Sequence, residues 1–325
     1  LAEPVKNIYA GIDIGGTNIK FGLVDEDGLV VHRQQRPTMA DKGPKVLMHL
    51  VTNIAEELLL HAAEEDHQVK WLGVGSPGAV DAETGKVIGP CPNIDGWQGT
   101  EIGSVLGERL NMPVHVDNDA NVVALAESRF GAAVGSRSIV CVTVGTGIGG
   151  GIVIDGSLWR GSSHSAAELG HMSICYDGVR CSCGRAGCIE AYCSCDAIIK
   201  RARSKLKKTP TPVFDSLLDG DLDKLTIKKL FKAIKKHDSV ARETLDETAK
   251  YLGTGLAGVV NLLNPQTVVI GGGMADGGGG FVDAVAREIK ERAFASAVQD
   301  LRVVKASLGN DAGFIGAGLL GEIKR

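Results

Sequence analysis

Apolar and polar positions alternate along the chain in two rhythms. Segments 8–14 (IYAGIDI), 20–25 (KFGLVD) and 29–35 (LVVHRQQ) alternate or run apolar, separated by GGTN and EDG. That pattern predicts a three-strand antiparallel meander. Val46, Leu47, Leu50, Val51, Ile54 and Leu58 then recur at helical spacing and predict a helix over 44–66. A strand is expected at 71–76, an irregular stretch to 99, a helix at 100–110, a strand at 114–117, and a helix from Asp119 or Ala120. A second meander is predicted from 138–144 (SIVCVTV), through GTGIGG, to GIVID. Further on come helices at 189–207, 226–236 and 239–263, a strand at 267–271, a helix at 280–296, a strand at 301–305 and a helix at 310–324. The order is that of an α/β chain.

The two meanders correspond. IDIGGTNIKFGLVDEDG and VTVGTGIGGGIVIDG both read strand, Gly/Thr hairpin, strand, Asp-Gly turn, as expected of a diverged internal duplication. With 325 residues, 44% of them hydrophobic, the chain is long enough for two domains. The net charge of −4 gives no electrostatic case for nucleic acid or an anionic membrane as partner. The basic runs 200–208 and 228–236 carry apolar residues at helical spacing and read as solvated helix faces. The opening LAEPVKN lacks a signal-peptide pattern, and the uncharged run 138–154 is broken by glycines, so a cytoplasmic chain is expected. In a reducing compartment the eight cysteines are expected as ligands or small core residues rather than disulfides.

Candidate chemistry gathers at four places. In DIGGTN (13–18), Gly15 and Gly16 let backbone N–H groups approach an anion, and Thr17 and Asn18 add donors. Asp13 beside such a site fits a carboxylate joined to phosphate through Mg²⁺. GTGIGGG (145–151), including Thr146 and Gly147, is its counterpart; it matches G-x-G-x-x-G but leads into a strand, which excludes a dinucleotide fingerprint. In VDNDAN (116–121), Asp119 falls where strand becomes helix, either as an N-cap or as a general base beside Asn118. In ELGHMSICYDGVRCSCGRAGCIE (168–190), His171, Cys181, Cys183 and Cys188 offer four N/S ligands to a structural Zn²⁺, with a disulfide as the alternative. Metal on one imidazole nitrogen leaves the other as a donor. With Glu168 and Glu190 as acceptors, that donor would hold the hydroxyls of a sugar.

Together these motifs resemble the ROK family (repressors, open reading frames and sugar kinases) over nearly the whole length. SPGAVD at 76–81, PNIDGW at 92–97 and DNDAN at 117–121 add to the loops above, and ELGH with CSCGRAGCIE is the most specific part. The resemblance implies an actin-like ATPase (ribonuclease H-like) α/β fold with two domains closing over a cleft. We place them at 1–117 plus 310–325 and at 118–309, with the zinc loop at 171–188. It further implies Asp119 as catalytic base and Gly78, Asn93, Asn118, Glu168, His171 and Glu190 as sugar contacts. Asp13, Gly15, Gly16, Thr17, Asn18, Thr146 and Gly147 would serve phosphate and magnesium, with Gly272 and Gly273 on the adenine side. The activity implied is ATP-dependent phosphorylation of a hexose, most like a bacterial-type glucokinase, with N-acetylmannosamine or N-acetylglucosamine kinases as alternatives. The family's sugar-sensing repressors carry an N-terminal helix-turn-helix domain; with the phosphate loop beginning at Asp13, no such domain is expected here. Most members form homodimers or homotetramers.

Overall fold

The computed structural model describes residues 7–91 and 94–323. Strands β1 (Ile8–Ile14), β2 (Asn18–Asp25) and β3 (Val30–Pro37) form the expected meander, followed by helix α1 (Pro44–Glu64) and β4 (Val69–Ser76). The stretch expected to be irregular contains a small hairpin, β5 (Val80–Asp81) with β6 (Lys86–Val87). After it come α2 (Ile102–Leu110), β7 (Val114–Asn118) and α3 (Asp119–Arg129). The second meander is β8 (Ser138–Val144), β9 (Ile148–Ile154) and β10 (Ser157–Leu158). The helix expected over 189–207 is two helices, α4 (Glu190–Cys193) and α5 (Cys195–Lys208). Ser194 leaves the helical region and caps α5 through the Ala197 N–H, which periodicity does not register. Next are α6 (Pro212–Leu218), α7 (Ile227–Lys235), α8 (Ser239–Leu263) and β11 (Thr267–Gly271). The chain closes with α9 (Gly273–Asp276), α10 (Phe281–Arg292), α11 (Ala295–Val298), β12 (Arg302–Lys305) and a short α12 (Ala312–Gly318).

Two five-stranded sheets result, in the orders β3-β2-β1-β4-β7 and β10-β9-β8-β11-β12. Numbered within each sheet by chain order, both read 3-2-1-4-5, the topology expected of a duplicated unit. By internal contacts the described chain divides into two units. The first runs to Ile139 and adds Gly151–Ala167 and the chain from Ser307; the second is Val140–Gly150 with Glu168–Ala306. In the first unit α3 packs with α12.

In the first unit, alternate residues of the sheet face opposite ways. Ile8, Ala10, Ile12, Ile19, Phe21, Leu23, Leu72, Val74 and Val116 form one core with Leu47, Val51, Ile54 and Leu58 of α1 and with Leu106 of α2. α1 is long and apolar enough to cross a membrane, but this buried face makes it a core helix. The other face of the sheet carries glycines at 11 and 73, and α12 lies directly on them: a Cβ at either would collide with the Phe314 or Ala317 carbonyl. That face also carries Asp13, Gly75 and Asp117, which stand side by side across β1, β4 and β7.

Candidate active site

The carboxyl ends of parallel strands are where open α/β sheets bind ligands. At the ends of β1, β4 and β7 the first unit gathers Asp13, Gly75, Asn118 and Asp119. An added Cβ at Gly75 would lie 3.4 Å from Asp13 Oδ1 and 3.7 Å from the Asp119 Cα, and one at Gly313 would strike the Asp13 carboxylate. The two glycines thus let the Asp13 carboxylate lie close against bare backbone. The Asp13 carboxyl is pushed up to about 7, chiefly by burial and then by Asp119, with Lys20 opposing. A cation near Asp13 would favour its ionised form.

The N-cap of α3 is Asn118, not Asp119. Asn118 Oδ1 accepts from the N–H groups of Ala120 (2.9 Å) and Asn121 (3.2 Å), and its Nδ2 donates to the Gly78 carbonyl at 3.0 Å. Asp119 is instead the first helical residue, half-buried, with Oδ1 accepting from Ala120 N–H at 2.8 Å. The cap role is filled by its neighbour, so general-base duty does not compete with it. Behind the pair, Asp117 Oδ1 accepts from the Asn118 N–H and from Asn121 Nδ2, both at 2.8 Å. Its Oδ2 meets Arg160 Nε at 2.7 Å in a buried ion pair.

The loop 15–17 is a tight hairpin, with Gly15 N–H donating to the Asn18 carbonyl at 3.1 Å. Thr38 Oγ pins its other side through the Gly15 carbonyl at 2.6 Å. Gly16 and Thr17 are exposed at its tip. In the second unit the loop 145–147 closes similarly, Gly145 N–H to Gly147 carbonyl at 3.0 Å. Gly272, with φ of 84°, starts α9 against the Val144 backbone, so the Gly272–Gly273 turn and the 145–147 loop are neighbours. Asn93 lies outside the described residues.

Glu190 opens α4. Its Oε2 accepts from the Ile148 N–H at 2.9 Å and its Oε1 from Ser182 Oγ at 3.3 Å, which joins the 145–147 loop to the cysteine loop. Glu168 precedes a single turn, Leu169–His171, and the His171 N–H donates to its carbonyl at 3.0 Å. Burial raises the Glu168 carboxyl above its ordinary value; His171 opposes this and Glu190 adds to it.

His171, Cys181, Cys183 and Cys188 bring one ligand atom each within 4.8 Å of one another. Cys183 and Cys188 sulfurs are 3.7 Å apart, and Cys181 Sγ is 3.8 Å from His171 Nδ1. A tetrahedron with Zn–S bonds of about 2.3 Å has edges of about 3.8 Å, whereas a disulfide requires about 2.0 Å. All eight cysteines are free, so the donor set fits zinc and the disulfide alternative falls. The Arg185 N–H draws the Cys183 thiol down to about 7, while burial pushes Cys188 up to about 12. Coordination through Nδ1 would leave Nε2–H of His171 as the donor. With four protein ligands, zinc here would serve structure, holding the loop and the imidazole. Cys193, fully buried, turns its sulfur to the Thr248 carbonyl and stands apart from the cluster.

Residues 9–322 match the ROK family. The chain belongs to the ROK family. It is 34% identical to a glucokinase of Streptomyces coelicolor over 310 residues, covering 94% of this chain and 95% of that protein. It is 30% identical to a xylose repressor of Caldicellulosiruptor bescii, covering 94% of this chain and 76% of the repressor. A Streptomyces griseus ROK family glucokinase, crystallised with glucose and AMPPNP, superposes with a TM-score of 0.83 at 33% identity over 97% of this chain and 99% of that one. These ROK relatives and the repeated sheet order establish the actin-like ATPase fold.

Three features of the candidate site escaped sequence reasoning: the close approach of Gly75 and Gly313 to Asp13, the Arg160–Asp117 pair, and the Ile148 N–H held by Glu190. Gly75 had a signal, since WLGVGS leaves one face of its strand nearly bare. The other two join residues 43 and 42 positions apart, and no local pattern encodes them.

Proposed function

We propose that the protein is an ATP-dependent hexose kinase that phosphorylates the 6-hydroxyl of glucose. The observation that carries this reading is Asp119. Its carboxylate stands at the carboxyl edge of the sheet beside Asp13, with the helix cap supplied by Asn118, in a chain resembling a ROK glucokinase that binds glucose and AMPPNP.

Asp119 takes the proton from the sugar O6, and that oxygen attacks the γ-phosphorus of ATP in line, breaking its bond to the β–γ bridging oxygen so that ADP leaves. Asn118, with one amide hydrogen beyond its bond to Gly78, orients the hydroxyl. Glu168 and Glu190 accept from sugar hydroxyls and the His171 N–H donates to one. The N–H groups of loops 15–18 and 145–147 receive the phosphates, with Gly272 and Gly273 on the nucleoside side. Mg²⁺ held from Asp13 would supply charge neutralisation on the transferring phosphoryl group.

A coupled assay with Mg-ATP and glucose, mannose, N-acetylglucosamine, N-acetylmannosamine or fructose tests the reading. Glucose is expected to give the highest kcat/KM. Asp119→Asn is expected to lower kcat by at least about a hundredfold. The repressor relative at 30% identity favours one rival, a sugar sensor without turnover. Glucose binding by calorimetry with no sugar-dependent ADP release would replace the kinase with that sensor.

A further inference from the structure

The cysteine loop is fastened at a second point that involves no metal ligand. Tyr192, on α4 and only 9% exposed, turns its hydroxyl to accept the Val179 N–H at 2.9 Å. Val179 is bound on its other side as well, its carbonyl accepting from the Gly187 N–H at 2.9 Å. Val179 therefore links the phenol to the residue next to Cys188, and it lies two positions before Cys181. Gly178 makes the approach possible: a Cβ there would overlap the Tyr192 hydroxyl.

The phenol is itself held. Its ring stacks on Tyr251 of α8 with centroids 4.4 Å apart. The Arg201 guanidinium lies over Tyr251, 5.5 Å from the ring centroid, and its Nη1 donates to the Tyr192 carbonyl at 2.8 Å. Arg201 also bonds the Thr248 hydroxyl and pairs with Glu247 at 3.3 Å. A rigid chain of contacts runs from α8 through the Tyr192 hydroxyl into the loop.

We propose that Tyr192 is a positioning residue: its hydroxyl clamps the 178–188 strand of the loop against α4, so that the Cys181, Cys183, Cys188 and His171 ligands stay closed around zinc and Glu190 keeps its place. The effect on zinc stands independently of the kinase reading; an effect on sugar affinity rests on that reading.

The test is zinc release from the loaded full-length protein into excess chromophoric chelator, followed by absorbance. Tyr192→Phe keeps the stacked ring and removes only the acceptor. It is expected to release zinc at least about fivefold faster, the change produced by losing one hydrogen bond of ordinary net strength. Gly178→Ala, which displaces the phenol from the other side, is expected to accelerate release similarly. Tyr251→Phe, which keeps the stack and the clamp, is expected to release at the wild-type rate. Unchanged release in both Tyr192→Phe and Gly178→Ala overturns the proposal. So does equal acceleration in Tyr251→Phe, which leaves the Tyr192 hydroxyl on the Val179 N–H and would detach the effect from that bond. In the kinase assay Tyr192→Phe should raise the hexose KM more than it lowers kcat. Fast zinc release from a protein that shows no kinase activity would leave the clamp intact and remove the kinase reading alone.

Discussion

Asp117 and Arg160 illustrate what a single buried charge does at the site. Their side chains are 2% and 17% exposed, and Asp117 fixes the backbone N–H of Asn118 and the side chain of Asn121. Removing the guanidinium would leave a carboxylate buried without its cation. Arg160→Ala is expected to cost about 3–5 kcal/mol of stability, measured by urea unfolding. A loss under about 1 kcal/mol, the range of exposed pairs, would mean that water already screens Asp117. Asp119 was legible in the sequence because a strand-to-helix handover is a local event. Its division of labour with Asn118 was not, since either residue can cap a helix and only the backbone course decides which one does. Arg160 was invisible because it lies in a loop and its partner stands on β7, 43 positions away.

At the scale of elements, α12 explains part of the glycine content. Among the 44 glycines, Gly11 and Gly73 are close approaches, lying under the Phe314 and Ala317 carbonyls. Helix and sheet meet there backbone to backbone. Gly73→Ala is expected to destabilise the protein by at least about 1–3 kcal/mol, the usual penalty of overpacking, as a lowered melting temperature in calorimetry. An unchanged melting temperature would show that α12 can lift off the sheet at no cost. Most elements were legible because amphipathic periods of two and 3.6 survive in single segments. The helix expected over 310–324 is only Ala312–Gly318 followed by one 3₁₀ turn, and all seven α12 residues are buried. A helix buried on every side has no polar face to mark its limits.

For the molecule as a whole, the repeated sheet and the His171, Cys181, Cys183 and Cys188 cluster are the organising features. Each sheet repeats the order 3-2-1-4-5, and the second unit adds the cysteine loop. Elemental analysis of purified protein is expected to find one zinc per chain. Cys183→Ser and Cys188→Ser should reduce that content and direct limited proteolysis first to 171–190, because a loop this small has little core of its own. Wild-type protein free of zinc and equally resistant in that segment would refute a structural metal.

By itself the sequence determined the alternation of strands and helices, the repeated hairpins, the His171, Cys181, Cys183 and Cys188 cluster and the acid at the β7–α3 handover. These are readable because each lies within a short segment, where spacing and residue chemistry suffice. Tertiary structure alone decided which residue caps α3, the close approach of Gly75 and Gly313 to Asp13, the burial of Asp117 against Arg160, and the Tyr192 contact with Val179. Each of those depends on the distance between atoms far apart in the chain, and that distance is set by how sheet and helices pack, not by any local pattern of residues.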